Sequence, residues 1–296
     1  MVEREVIRRI IIEGQEFVNE ISLTERPFFF EQKGNYVFVG IRQAGKSYLL
    51  YQRIQQLLRE EHNINEIVYI NFDDERLRQM TADDLDLILQ AYHSLFDLRP
   101  LLFFDEIQNI EGWEHFARRL ANQKYNIYIT GSNAKMLSRE IATTLGGRFW
   151  NKDVYPYSFA EYLNARNIIL SKNWMYGKQA AEVSKAFNDY FLYGGFPELT
   201  DVIAKRVWLN DIYSKIFFSD LIVRNKVRNE EALGLLVRRL AENVKQPVSY
   251  TRLANLISSI GIKISKATVI EFIRYLKESC LIFPIETVSY THLTLP

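Results

Sequence analysis

The stretch VFVGIRQAGKSYLL (37–50) sets Gly40, Gly45, Lys46 and Ser47 in the spacing G-x-x-x-x-G-K-S, after the strand-forming Tyr36 to Val39 and before a leucine-bearing helix start. Glycines let a backbone curl until successive N–H groups point at phosphate oxygens, and a helix start adds partial positive charge. The candidate phosphate-binding residues are therefore Gly40, Ile41, Arg42, Gln43, Ala44, Gly45, Lys46, Ser47 and Tyr48. Lys46 would reach the β- and γ-phosphates of ATP, and the Ser47 hydroxyl would ligate Mg²⁺. The alternative is a chance glycine turn before a lysine-bearing helix.

A second signal is LLFFDEIQNI. Four apolar residues place Asp105 at the end of a buried strand, where its carboxylate can hold the Mg²⁺ water shell. Glu106, one residue on, is positioned to orient and deprotonate an attacking water, which predicts hydrolysis rather than transfer to another acceptor. An acidic pair capping the next helix is the plainer alternative. No N-K-x-D stretch is present, so ATP is preferred over GTP. Third comes YITGSNAKML. If its strand lies between the other two, Ser132 or Asn133 can hydrogen-bond the γ-phosphate or the water. Arg148, after two glycines in TTLGGRF, is either a charge-neutralising finger, in its own or a neighbouring subunit, or a structural ion pair. The acidic run Asp73, Asp74, Glu75 reads as a solvated edge.

These residues need a scaffold. A helix over 4–20 leads into strand 36–40, helix 46–60, strand 66–72, helix 82–96, strand 100–105, helix 112–122 and strand 125–131, with a further short strand at 153–157. Alternation of apolar strands with helices predicts an α/β P-loop NTPase domain over 1–160, its parallel sheet covered by helices on both faces. A helical segment over 161–228 follows. Helices at 230–243, 249–258 and 266–279, with Ser249 and Ser265 as N-caps and a β-like CLIFPIETV, suggest a winged-helix-like domain over 229–287. Residues 288–296, VSYTHLTLP, back-translate to what looks like a sequencing adapter read in frame, so a non-native tail is expected there.

Net charge is +1, which offers no bulk attraction to nucleic acid or acidic membranes. Between Arg224 and Lys277, however, eleven lysines and arginines face four glutamates, a local excess of seven. That region is a candidate DNA surface, with 266–279 as its recognition helix, though winged helices also serve as protein-contact modules. The single cysteine, Cys280, excludes an intramolecular disulfide framework and fits the cytoplasm. No apolar run is long enough to predict a membrane span.

The blocks GIRQAGKS, YINFDDERL, FFDEIQNI, TGSNAKMLSREIATTLGGR, YPYSFAEYL and YGGFPE, in this order, resemble the prokaryotic AAA-type ATPase family in which a P-loop domain precedes a C-terminal domain of unknown function. The resemblance runs to about residue 287. It implies ATP binding at Gly40, Gly45, Lys46 and Ser47, metal and water handling at Asp105 and Glu106, and sensing at Ser132 and Asn133. It also implies that the chain stops early relative to such proteins. The expected function is Mg²⁺-dependent ATP hydrolysis in association with DNA, by a chain able to form oligomers. The alternative is a slow nucleotide-dependent switch that engages a protein or DNA partner through its winged helix, and a P-loop kinase is a third, weaker reading.

Overall fold

The computed structural model describes residues 2–31, 33–132, 143–244 and 246–285. Five short strands, β1 (Asn35–Val39), β2 (Ile67–Asn71), β3 (Leu101–Asp105), β4 (Asn126–Gly131) and β5 (Phe149–Asp153), pair in parallel in the order β2-β3-β4-β1-β5. Strands of this kind read as continuous apolar runs because both faces are covered. Alternation sends Val37, Val39, Leu102, Phe104, Ile127 and Ile129 into one core, together with residues of α1 (Arg4–Glu20), α3 (Asp86–His93) and α4 (Trp113–Asn122). Tyr36, Phe38, Phe103 and Tyr128 go to the other, against α2 (Lys46–Arg59). On that second face the rings of Phe103, Tyr128 and Tyr36 stack across three adjacent strands, with centroids 4.6 and 5.8 Å apart.

The order leaves β4 between β1 and β3, the condition on which Ser132 was expected to matter. Two elements differ from expectation. The last strand is not 153–157 but β5, Phe149–Asp153. As the sheet's edge it keeps only Phe149 buried, so it lacks the apolar pattern of the inner strands, while Val154 and Tyr157 are buried outside any strand. The helix expected over 82–96 begins as a 3₁₀ turn, Ala82–Asp84, boxed by Thr81 and Asp84, and continues as the shorter α3.

The chain packs as two compact units, Met1–Ile212 and Tyr213–Pro296. In the first unit α5 (Phe159–Ala165) and α6 (Gln179–Tyr193) pack on each other around Tyr157, Tyr162, Leu163 and Ala186, and α7 (Lys205–Lys215) contains the boundary between the units at Ile212. The second unit contains a π-helical segment, Ile216–Val223, then α8 (Glu230–Glu242), α9 (Tyr250–Ser258) and α10 (Lys266–Glu278) around one apolar cluster. Ser249 and Ser265 cap α9 and α10 by accepting from the N–H groups of Arg252 and Thr268. Val269, Phe272, Ile273 and Leu276 are buried together, as their spacing predicted. After α10 no strand forms among the described residues: Cys280 turns the chain with φ +56° and residues 281–285 are irregular. A wing is therefore not seen there, and residues 286–296, including the expected tail, lie outside the described residues.

Candidate nucleotide site

In a parallel sheet, ligands bind beyond the carboxyl ends of the strands. Here the loop after β1, the turn after β3 and the end of β4 meet at that edge. The two loop glycines have different causes. Gly45 caps α2 with φ +88°, a conformation that costs any residue with a Cβ about 1–2 kcal/mol. Gly40 has no such torsion; a Cβ there would lie 2.0 Å from the Val154 carbonyl oxygen, where the chain leaving β5 closes on β1 through a Val154 N–H to Val39 bond of 2.7 Å. Between them, Gln43 is left-handed at φ +59°, and Arg42 is half-buried.

Lys46 is nearly buried, and its ammonium donates to the carbonyls of Gly40 and Ile41 at 3.1 and 3.0 Å. Its Nζ also lies 3.9 Å from Glu106 Oε1. Asp105, 1 % exposed, receives the hydroxyls of Ser47, Thr130 and Tyr69, the last at 2.9 Å. Burial raises the Asp105 carboxyl against these donors, and the Glu106 charge adds to the rise. Tyr69 in turn meets Tyr51 hydroxyl to hydroxyl at 2.9 Å, and burial pushes the Tyr51 phenol up to about 12. Glu106 turns the chain in the left-handed region at φ +52°, with its N–H donated to Thr130 at 3.0 Å. Ser132 is buried at the end of β4 and lies 3.4 Å from the Gln108 amide nitrogen.

Gln43, Gly45, Lys46, Ser47, Tyr48 and Glu106 line one cavity of about 970 Å³, a size that takes a nucleotide. Its other walls are the segment from Ile21 to Arg26, Tyr157 with Asn164, and Pro197 to Asp201 in part. Arg26 ties these walls together. Its guanidinium pairs with Glu161 at 2.7 Å, donates to the carbonyls of Ala44 and Tyr155, and lies over the Tyr157 ring. The block YGGFPE closes the same side: Tyr157 N–H donates to Gly195 at 2.6 Å, and Pro197 stands behind Gly45.

The fold thus brings Lys46, Ser47, Asp105, Glu106 and Ser132 together, with Tyr48 half exposed on the cavity wall. Asn133 lies outside the described residues. Arg148 is not brought to the site of its own chain. It precedes Phe149, which pairs with Asn35, so it stands at the amino edge of the sheet, about five strand residues or roughly 16 Å from the loop. There its guanidinium bonds back to Gly146 at 3.1 Å. Sequence reasoning passed over Tyr69, Thr130, Gln108 and Arg26. Gln108 had a signal, two places after Glu106; Arg26 had none, since its role depends on Glu161.

A hydroxyl and a carboxylate in mutual contact are hard oxygen donors, the chemistry that Mg²⁺ takes, usually with phosphate and water completing its shell. No cluster of three or more His, Cys, Asp or Glu suited to a metal occurs among the described residues.

A P-loop after the first strand of a parallel sheet, with a buried acid on the strand two places away, is the frame of a P-loop nucleotide-binding domain, and residues 32–163 match the family described as AAA domain. Residues 184–294 match a domain of unknown function, DUF8612. The whole chain aligns with an uncharacterized protein of Methanocaldococcus jannaschii at 32% identity, covering 67% of that protein. Over 83% of its length it is 31% identical to an uncharacterized protein of Haemophilus influenzae, covering 61% of that one. The chain belongs to the family of prokaryotic AAA-type P-loop proteins in which the AAA domain is followed by this second domain, and it spans about two thirds of the length of these relatives. Among solved structures, Aeropyrum pernix Orc1 in complex with DNA superposes with a TM-score of 0.35 at 15% identity, over 94% of this chain and 84% of that one. Scores this low do not bear on function. No described helix is long and apolar enough to cross a membrane.

Proposed function

We propose that this chain binds ATP with Mg²⁺ and hydrolyses it. The carrying observation is the meeting of the Lys46 ammonium, the Ser47–Asp105 pair and Glu106 at one end of a 970 Å³ cavity. Lys46 exchanges its bonds to Gly40 and Ile41 for the β- and γ-phosphates. Ser47 and Asp105 would hold Mg²⁺, which when bound would supply positive charge against the phosphates. Glu106 takes a proton from the attacking water, and Ser132 or Asn133 hydrogen-bonds the γ-phosphate or that water. Asp105 is already engaged by three hydroxyls, which leaves Glu106, on the cavity wall, as the base. Arg148, remote from its own loop, serves only a neighbouring copy.

The test separates binding from chemistry. Lys46→Ala should lose binding of a fluorescent ATP analogue. Glu106→Gln should bind it as wild type does while phosphate release falls by about 10²–10⁴-fold, the usual worth of a general base. Equal rates in wild type and Glu106→Gln would falsify the base assignment. A second reading, that nucleotide state governs a partner, draws on the second unit, where Lys226, Arg228, Arg238, Arg252, Lys263, Lys266, Arg274 and Lys277 are all exposed. DNA is the candidate partner, with an acidic protein surface as the alternative. Slow turnover indifferent to DNA, with ATP-dependent capture of a protein, would favour the switch.

A further inference from the structure

Immediately after β3 the chain turns sharply through Glu106 into a 3₁₀ turn, Ile107–Asn109. That turn folds Gln108 back over the residue two places before it. The Gln108 amide nitrogen donates to Glu106 Oε2 and also reaches Ser132 Oγ at 3.4 Å. The other carboxylate oxygen, Oε1, faces the Lys46 ammonium at 3.9 Å. Both oxygens of the carboxylate are thus directed at groups of its own chain, and an oxygen engaged by an amide N–H is poorly placed to take a proton from water. The same amide has a second peculiarity: its carbonyl oxygen, Gln108 Oε1, is buried without a hydrogen-bond partner among the described residues. Turning the amide over would give that oxygen the Ser132 hydroxyl but set it against the Glu106 carboxylate, and would leave the NH₂ group where the oxygen has no partner. A buried orphan acceptor is costly to keep, so the held arrangement is one the chain readily leaves.

We propose that Gln108 is a positioning residue that holds Glu106 away from reaction and releases it when a nucleotide γ-phosphate engages Ser132. The proposal rests on Glu106 being the base. Lys46 and Ser132 each touch this small network, and each is drawn to the triphosphate. One ligand therefore competes for the Oε1 contact, through Lys46, and for the Gln108 contact, through Ser132. With Ser132 turned toward phosphate, the amide loses one of its two acceptors and Gln108 is free to swing, so that Oε2 faces the cavity. Without a γ-phosphate the carboxylate stays occupied and water is not activated.

Replacing Gln108 by a side chain of equal length that cannot donate should unlatch Glu106. With the full chain and Mg²⁺-ATP, Gln108→Met should raise kcat roughly three- to tenfold, the rate equivalent of one hydrogen bond, with KM and ATP-analogue affinity within about twofold of wild type. The double variant Glu106→Gln with Gln108→Met should be as slow as Glu106→Gln alone, since the gain passes through the carboxylate. Should Gln108→Met fold poorly, Gln108→Glu fills the same space and repels Glu106, and its kcat must rise in the same way. Intact nucleotide binding with kcat at or below wild type in whichever variant folds overturns the proposal while leaving the ATPase assignment standing. Loss of Mg²⁺-ATP binding by the wild-type chain overturns that assignment and the latch with it.

Discussion

At the scale of single residues, chemistry and structure impose separate demands on the same loop. Gly45 is needed for its torsion and Gly40 for the 2.0 Å approach that a Cβ would make to Val154. The two alanine variants should therefore fail differently. Gly45→Ala strains the loop itself and should weaken ATP-analogue binding more than it lowers the melting temperature. Gly40→Ala must push β5 away from β1 and should lower both, an order that paired thermal melts and titrations would reverse if close approach were not the cause. Tyr69 is a second case. Its hydroxyl orients Asp105, so Tyr69→Phe removes one hydrogen bond to a charged group, worth about 1.5–3 kcal/mol. The Mg²⁺ concentration at half-maximal hydrolysis should shift while affinity for metal-free nucleotide stays put. Sequence alone exposed Lys46, Ser47, Asp105 and Glu106 because strand and helix context fix them locally. Tyr69 and Thr130 stayed hidden because their roles arise only when β2, β3 and β4 lie side by side in register.

At the scale of elements, the alternation of strand and helix was legible because inner strands are buried on both faces and read as plain apolar runs. The edge strand β5 was not, since FWNKD keeps one buried residue in five. Nor could spacing show that the segment before β1, α5 and the YGGFPE turn converge on the loop. Arg26 makes that convergence, across 135 positions from Glu161, with both side chains mostly buried. Breaking the pair by Arg26→Ala should cost about 3 kcal/mol, because it strands a buried carboxylate. Burial alone would raise the Glu161 carboxyl, yet bonds from Arg26 and Ser158 outweigh it and hold the group below the ordinary carboxylate range. The pair's contribution is therefore complete above about pH 4.3, the ordinary glutamate value, and fades as pH falls through the lowered native one. Melts of wild type and Glu161→Gln should differ most near neutrality and converge in acid; a gap that widens in acid would contradict this sign.

At the scale of the whole molecule, separating Arg148 from its own loop has a kinetic signature. If a neighbouring copy supplies it, ATPase activity per chain should rise with protein concentration, and Arg148→Ala should flatten that rise while leaving nucleotide affinity unchanged. A rate per chain independent of concentration in both proteins would sink the role. If the exposed lysines and arginines of the second unit engage DNA, binding should be salt-sensitive, weakening linearly on logarithmic axes as salt increases. Charge reversal at Lys266 and Lys277 should reduce it, and retardation assays at two salt concentrations would register no change if those residues were idle. Glu106, a non-glycine residue fixed at φ +52°, carries a conformational penalty of about 1–2 kcal/mol, and glycine would relieve it. Glu106→Gly should thus be the inert variant that outlasts its parent on heating, by a few degrees for a unit of this size, showing that robustness was surrendered at one position to keep a reactive group in place.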